Sequence, residues 1–308
     1  MTVGKEGISA KIIADSISKF NRITTFELEY PRMIHSELMT HRMISKNCAS
    51  SRAIPVAKML DQIRNNPAMP VWWGKNQAGM QAAVELTGEA LDMAKERWLN
   101  AASDAANLAE IIMEESDLHK QITNRITEPW QRMKTVATGT EWANLLWLRD
   151  HKDAQPEFAE LAKCIREEFE ASKPMVLMPG EWHVPYVQTA MADAPDGEDS
   201  EWSYWSDEGR ITLDQALKLS VSLCCQVSYR RGDTTLEKAI AITEKLCIPG
   251  QPGHFSPFEH QATPMDSQRP FLKWQEGISH QDRNGNFWSG NFKGWIQNRK
   301  IIESTSTV

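Results

Sequence analysis

Thr40-His41-Arg42-Met43-Ile44-Ser45-Lys46-Asn47-Cys48-Ala49-Ser50-Ser51-Arg52 is the run around which the rest of the chain is organised. It gathers two arginines, a histidine, an asparagine and three serines into a short length. The stretch before it, Thr24-Thr25-Phe26-Glu27-Leu28-Glu29-Tyr30, alternates as a half-buried strand does. Pro31 then opens a predicted helix, because a proline in the first helical turn loses an N–H that would have no intrahelical partner. On that helix Ile34, Leu38 and Met39 line one buried side, while Glu37 and His41 sit four apart on another. Serine and asparagine favour turns and caps over helix interiors, so the helix is expected to break into a loop over residues 45–52. Such a loop, dense in forked and hydroxyl donors, suits a phosphate held bidentately. Its composition alone describes a solvated polar loop equally well.

Composition sets the outer bounds. The chain has 308 residues, 41% hydrophobic and 24% charged, as globular proteins have, and it can bury a sizeable core. A single domain over 1–308 is expected, with an irregular Trp-rich insertion or lid at about 175–210 and an unassigned tail at 270–308. The net charge of -7 argues against nonspecific binding to a nucleic-acid backbone, so any nucleotide must be held by local arginines. No apolar run approaches the ~20 residues that span a bilayer, and Met1-Thr2-Val3-Gly4-Lys5-Glu6 has no signal-peptide pattern. The five cysteines (Cys48, Cys164, Cys224, Cys225, Cys247) show no metal-ligand spacing and read as reduced thiols of a cytoplasmic protein without a metal. Cys224-Cys225 falls in an apolar helix and reads as core.

Along the chain, residues 8–30 read as a mixed β start and residues 77–118 as one long helical region rich in Ala, Glu, Met and Leu. Met133-Lys134-Thr135-Val136-Ala137-Thr138 reads as a strand, followed by a helix opened by Thr140-Glu141 and ending at Arg149. A further helix covers 154–171, with Pro156 in its first turn. Residues 179–209 are the least regular, yet Trp182, Tyr186, Trp202, Tyr204 and Trp205 make them too aromatic for a linker. A packed functional loop or lid is the expectation there. Helices resume over 212–227 and 234–246. No internal repeat or sustained heptad is present.

His41-Arg42, seven residues, Ser50 and then Arg52 resembles the signature of flavin-dependent thymidylate synthases, which carry Arg-His-Arg, seven residues, Ser and Gly-Arg. Thr40 replaces the first Arg, Ser51 the Gly, and Cys48 a Glu two before the Ser. A second block is similar to the same family: Asn144-Leu145-Leu146-Trp147-Leu148-Arg149, then Ala154-Gln155-Pro156-Glu157. Arg132 matches an arginine that holds the substrate nucleotide, with Arg125 a rival; Arg132 and Arg149 could equally be helix-end surface cations. The third block is Gly253-His254-Phe255-Ser256-Pro257-Phe258-Glu259-His260, which resembles the family's His-x-Ser/Thr-Pro-Phe-Glu-His run, with Gln226-Val227-Ser228-Tyr229 a helix before it. Read alone, two histidines and a Glu suggest zinc, but a convincing third and fourth ligand are missing. The third block usually precedes the His-Arg motif and here follows it, so the order looks circularly permuted, which closely spaced termini permit. The blocks lie within residues 23–55, 119–165 and 220–265.

The resemblance implies an α/β (α+β) fold, a twisted mixed or antiparallel sheet with a helical layer. It implies a homotetramer whose sites form between subunits, with FAD as cofactor and NADPH and methylenetetrahydrofolate as co-substrates. The reaction would add a methyl group to C5 of dUMP to give dTMP. His41, Arg42, Asn144, Arg149, His254, Ser256 and Glu259 would hold flavin. Ser50, Arg52 and Arg132 would form the catalytic and nucleotide-binding group, joined by Glu37 and Ser51. Glu37 stands for the usual Gln, and Ala159 for an Arg that meets the pyrimidine. An ionised Glu only accepts, which suits uracil N3–H and equally a cytosine amino group. Methylation or hydroxymethylation of dUMP or dCMP therefore stays open. So does a flavin- or nucleotide-binding protein without turnover, and a helical interaction protein would bind no flavin at all.

Overall fold

The computed structural model of the protein describes residues 1–193, 200–228, 233–248, 253–266 and 274–305. Tyr229, the Pro249-Gly250-Gln251-Pro252 turn and Phe271 lie outside them. The fold is α/β, built on a six-stranded sheet among the described residues. In chain order its strands are β1 (Thr2–Val3), β2 (Ser9–Ile17), β3 (Arg22–Pro31), β4 (Ile44–Cys48), β5 (Arg132–Gly139) and β6 (Met175–Val176). Their spatial order is β1-β2-β3-β5-β4, antiparallel throughout, with β6 parallel to β2. The period-two alternation of β3 splits its side chains between two faces. Phe26, Leu28 and Tyr30 point into the first face, and Thr25, Glu27 and Glu29 into the second.

The helices are α1 (His35–Met39), α2 (Val56–Asn65), α3 (Glu89–Ser116), α4 (Lys120–Thr123), α5 (Trp142–Arg149), α6 (Pro156–Ala171), α7 (Leu213–Cys225), α8 (Leu236–Leu246) and α9 (Asn298–Thr305). α5 and α6 cover the first face, where Leu145, Phe158, Leu161 and Ile165 join Phe26, Leu28 and Tyr30 in one fully buried cluster. On the second face Val136 packs with Cys224 and Val227 at the end of α7, and Tyr186 closes over them. α2 lays Met59, Leu60 and Ile63 on the alanines of α3, Ala102, Ala106 and Ala109. No described helix is long and apolar enough to cross a membrane.

Three smaller sheets complete the described chain. β7 (Gln188–Asp193), β8 (Ser200–Ser206) and β9 (Gly209–Ile211) are antiparallel, as are β11 (His280–Gln281), β12 (Phe287–Ser289) and β13 (Phe292–Lys293). β10 (Ala262–Pro264) pairs with β14 (Trp295–Gln297). The aromatic stretch is therefore strand-bearing where an irregular segment was expected. Trp182, Val184, Val187 and Tyr204 are buried with Ala216 and Leu219 of α7. In the tail, Trp295 is fully buried beside Ile23 and Phe292, and its indole N–H donates to Asn21 O at 3.1 Å.

Three local expectations are corrected. Pro31 ends β3, opposite Arg132, and the helix after it is only the five residues of α1. Thr40 stops that helix early, its hydroxyl donating to Glu37 O at 2.7 Å in competition with the helical ladder. Residues 44–48, expected to lie largely in a loop, form β4, because β5 supplies ladder partners from Ile44↔Gly139 to Cys48↔Thr135. The long helix begins only at Glu89, after Gly79 and Gly88 at φ of +99° and +58°, values that a helix does not accept.

Candidate active site

The first cluster forms where α1 turns back into β4. His41 is buried, and its Nε2 accepts a hydrogen bond from Arg149 Nε at 3.0 Å. The same guanidinium donates from Nη1 to Glu37 Oε2 at 2.7 Å and lies over the Phe158 ring, 4.6 Å from its centroid. His41 meets that ring edge-on, with centroids 5.6 Å apart. Lys46 Nζ donates to the carbonyls of His41 and Ile44 at 2.5 and 3.0 Å. Burial first, then the Arg149 and Lys46 cations, push the His41 pKa down to about 4. The ring is thus neutral, with its proton on Nδ1. A fixed, uncharged imidazole and a forked cation are presented together.

Around this cluster the other cofactor candidates divide. Arg42, Asn144, His254 and Ser256 are exposed. The Arg42 guanidinium makes no hydrogen bond or ion pair among the described residues. Glu259 is instead engaged by Arg299 Nη1, and its carbonyl accepts from Gln297 Nε2 at 3.2 Å. Burial lowers the Lys46 pKa, while Cys48 and the Glu259 carboxylate act in the opposite sense. Lys46 and Arg299 carry no motif. They become visible only when the edge of β4 and the C-terminal helix are brought together.

The second group lies at the start of β5, where the Ser50 N–H donates to Ser228 Oγ at 2.9 Å and the Ala49 N–H to Lys134 O at 2.8 Å. A cavity of about 410 Å³ opens there, walled among others by Glu29, Ala49, Lys58, Gln62, Arg132, Lys134, Val227 and Ser228. Three cations thus face one carboxylate. Arg132 donates to Glu6 O at 2.5 Å and to Asn66 O at 3.4 Å, while its Nη1 is buried without a partner. Gly7, at φ +70°, permits this close packing, since a Cβ there would stand 3.1 Å from Nη1. Burial lowers the Arg132 pKa. Lys134 Nζ pairs with Glu27 Oε1 at 2.9 Å, and the other oxygen of Glu27 accepts from Tyr186 OH at 2.8 Å.

The remaining candidates fall around this cavity. Ser51 is buried and its carbonyl accepts from Asn124 Nδ2 at 2.7 Å. Arg52 and Lys58 are exposed, and neither cationic head has an ion pair among the described residues. Arg125 is turned toward Glu128 and Gln121 O, away from the cavity that Arg132 lines. The Glu37–Arg149–His41 cluster stands on the α6 face of the sheet, whereas Glu29, Arg132, Lys134 and Ser228 belong to the α7 face. Nothing among the described residues groups three metal-ligating side chains. Burial raises the pKa of Cys48, Cys164, Cys224, Cys225 and Cys247 alike, which keeps every thiol protonated and weakly nucleophilic.

Fold and site together define an α/β protein that offers cationic, hydrogen-bonding groups on two faces of one sheet, suited to anionic small molecules. No family model matches the chain, and no curated protein does. Among solved structures it is similar to the UMP/dUMP methylase PolB from Streptomyces cacaoi bound with 5-Br UMP, at 16% identity and a TM-score of 0.44 over 53% of this chain and 88% of that one. The same enzyme bound with 5-Br dUMP gives 16% identity and 0.41 over 53% and 89%. The flavin dependent thymidylate synthase ThyX from Helicobacter pylori, complexed with FAD and dUMP, gives 18% and 0.33 over 48% and 67%.

Proposed function

We propose that the protein is a flavin-dependent pyrimidine-nucleotide methylase, transferring a methylene from methylenetetrahydrofolate to C5 of dUMP and reducing it to the methyl of dTMP. One observation carries this reading. The three blocks that resemble the synthase family, far apart in the chain, wall a single cavity: Ala49 from the first, Arg132 and Lys134 from the second, Val227 and Ser228 from the third. In this reading Arg132 and the unpaired Arg52 and Lys58 receive the nucleotide phosphate, with Ser50 and Ser51 shaping its seat. The chain is one domain, permuted relative to the family. The third block docks on β4 and β5 whichever end of the chain it comes from, through Thr138 and His260.

The donor chemistry at the β4 edge fits FAD. Arg42 has a free cationic head for the pyrophosphate, the Asn144 amide and the exposed His254 and Ser256 remain open, and Arg149 holds His41 in one tautomer. Glu259 fits less directly, being held by Arg299. When bound, a reduced flavin supplies the hydride and one-carbon chemistry, which leaves orientation and charge stabilisation to the chain. That division agrees with five thiols that burial keeps protonated. Within one chain Glu37 is held by Arg149 on the face away from the cavity, so a preference for dCMP requires a second copy to bring Glu37 to the base.

The deciding experiment is mass-resolved turnover with FAD, NADPH, methylenetetrahydrofolate and equal amounts of dUMP and dCMP. Methylated dUMP is the expected product. A product from dCMP, or a hydroxymethyl product, would move the reading to the related reaction, and bound FAD without product would reduce it to a binding protein.

A further inference from the structure

The second face of the sheet carries a line of buried polar contacts that the candidate site does not use. Ser16 Oγ lies 2.9 Å from His183 Nδ1, and His183 Nε2 lies 2.8 Å from Thr25 Oγ1. Thr25 Oγ1 is 2.7 Å from Thr138 Oγ1, which is 2.8 Å from His260 Nδ1. The line crosses β2, β3 and β5, with His183 from the aromatic stretch joining Ser16 to Thr25 and His260 from the third block at the far end. All five residues are buried, His183 and His260 at 1% and 0% exposure. Burial holds both imidazoles at a pKa of about 3, so both rings are neutral.

Proton counting then fixes the options. A neutral imidazole donates at one nitrogen and accepts at the other, and each hydroxyl brings one proton. The Thr25–Thr138 contact uses the proton of one of these two hydroxyls. If Thr25 donates, it must itself accept from His183 Nε2–H, whose Nδ1 accepts from Ser16, and Thr138 is free to donate to His260 Nδ1. If Thr138 donates, it must itself accept from His260 Nδ1–H, and Thr25 is free to donate to His183 Nε2, which reverses every bond. Mixed arrangements, in which one threonine oxygen accepts twice, also make all four contacts, but each leaves that threonine's own O–H and the His260 Nε2 lone pair without a partner. The first direction leaves one group over, the His260 Nε2–H. The second leaves two, the Ser16 O–H and the His260 Nε2 lone pair, since Ser16 Oγ has no other partner among the described residues. Buried polar groups are nearly always satisfied, so the first direction is favoured.

His260 Nε2 itself is buried and unpartnered, and so are two acceptors nearby, Gln261 Oε1 and Asn47 Oδ1. Gln261 Nε2 contacts Cys224 Sγ at 3.9 Å and Asn47 Nδ2 donates to Cys224 O at 3.3 Å, so both amides abut one residue of α7. Thr138, which holds His260, lies on the same face of the sheet as Asn47. One donor and two acceptors complement a single water, which accepts once and donates twice. We propose that His183 and His260 are both protonated on Nε2, as members of a one-way hydrogen-bond chain that ends on a buried water shared with Asn47 and Gln261. His183 is then a positioning residue for the His254-to-His260 run, acting through Thr25 and Thr138. The inference goes beyond the proposed activity and does not depend on it.

The test is a long-range proton–nitrogen correlation spectrum of the full chain labelled with nitrogen-15 histidine near neutral pH, assigned with His183→Gln and His260→Gln. Both rings are expected as Nε2–H, with slowly exchanging imidazole protons and a cross-peak from His260 Nε2–H to water. An Nδ1–H pattern at either ring overturns the direction, and a slowly exchanging His260 Nε2–H without a water contact overturns the site. In Thr138→Val the Thr25 hydroxyl loses its acceptor and both directions become available to His183. His183, two links away, should become a mixture of tautomers. An unchanged His183 signal in a folded variant would overturn the coupling. The unmodified protein decides direction and water even if that variant does not fold.

Discussion

Arg149 is the residue on which the first cluster depends, because its one guanidinium serves His41, Glu37 and the Phe158 face at once. Replacing it with methionine keeps the packing stem and removes the cation. The His41 pKa should then rise from about 4 by about one unit or less, since burial is the larger cause of the depression. A histidine titration followed by NMR measures this, and an unmoved midpoint would show the cation to be irrelevant. A second consequence concerns stability. His41, His183 and His260 have folded pKa values of about 4, 3 and 3, all below the ordinary 6.5, and all chiefly through burial. As pH falls below 6.5 the unfolded chain binds protons that the folded chain refuses, so stability is lost in that direction, with a limiting slope of about 1.4 kcal/mol per pH unit for each histidine. Urea midpoints should therefore decline from pH 7 to pH 5, above the carboxylate range, and a flat profile would contradict it. Tyr186→Phe should cost about 2 kcal/mol in the same assay, since it keeps the ring and deletes a half-buried donor to the Glu27 carboxylate. His41 and Arg149 were legible because both belong to a motif. Lys46, Tyr186, Lys134 and Arg299 were not, because their partners are set by tertiary contact and no local pattern marks them.

At the scale of elements, propensity was a good guide where the chain decides for itself and a poor one where a neighbour decides. β3, β5, α5 and α6 follow their periodicity closely, and α7 starts where a complete capping box joins Thr212 to Gln215. Thr212→Ala should accordingly cost about 1 kcal/mol with no change in fold, read as a shift in urea midpoint. β4 is the instructive miss. Ser45 and Asn47 argue for a turn, but they occupy the second face of an edge strand. There Ser45 bonds Asn291 at 3.2 Å and Asn47 bonds Cys224 O at 3.3 Å. Ser45 and the Asn47 amide N–H, which would destabilise an isolated strand, take their partners from segments 177 or more positions away. The same reason explains the aromatic stretch, whose tryptophans and tyrosines suggested a lid. Its three short strands gain their stability by packing on α7, and a reading of local sequence cannot supply that partner.

For the whole molecule, the two halves of the candidate site pose a geometric problem that one chain does not solve. The His41–Arg149 cluster faces α6 and the Arg132 cavity faces α7, so a flavin on one and a nucleotide in the other would be separated by the sheet. Methylene and hydride transfer require the reacting atoms in contact. A second copy would remove the difficulty by placing its β4 edge against the cavity of the first. Exposed apolar side chains on α1, α5 and the turn into β4 suit such packing: Trp147 is 76% exposed, with Met39, Met43 and Leu148 at 45%, 40% and 44%. Exposed apolar groups of this size, where they adjoin, ordinarily mark an interface. The prediction is complementation. Arg149→Ala and Arg132→Ala chains, each inactive alone, should regain about a quarter of the activity when unfolded together and refolded as hybrids, because random pairing reunites two intact halves at about that frequency. Recovery only in hybrids, and not on mixing the folded variants, would place the two arginines on different chains of one site. Failure to recover, with both variants folded and oligomeric, would require each chain to hold a complete site and would oblige the flavin and the nucleotide to meet around the exposed edge of β4.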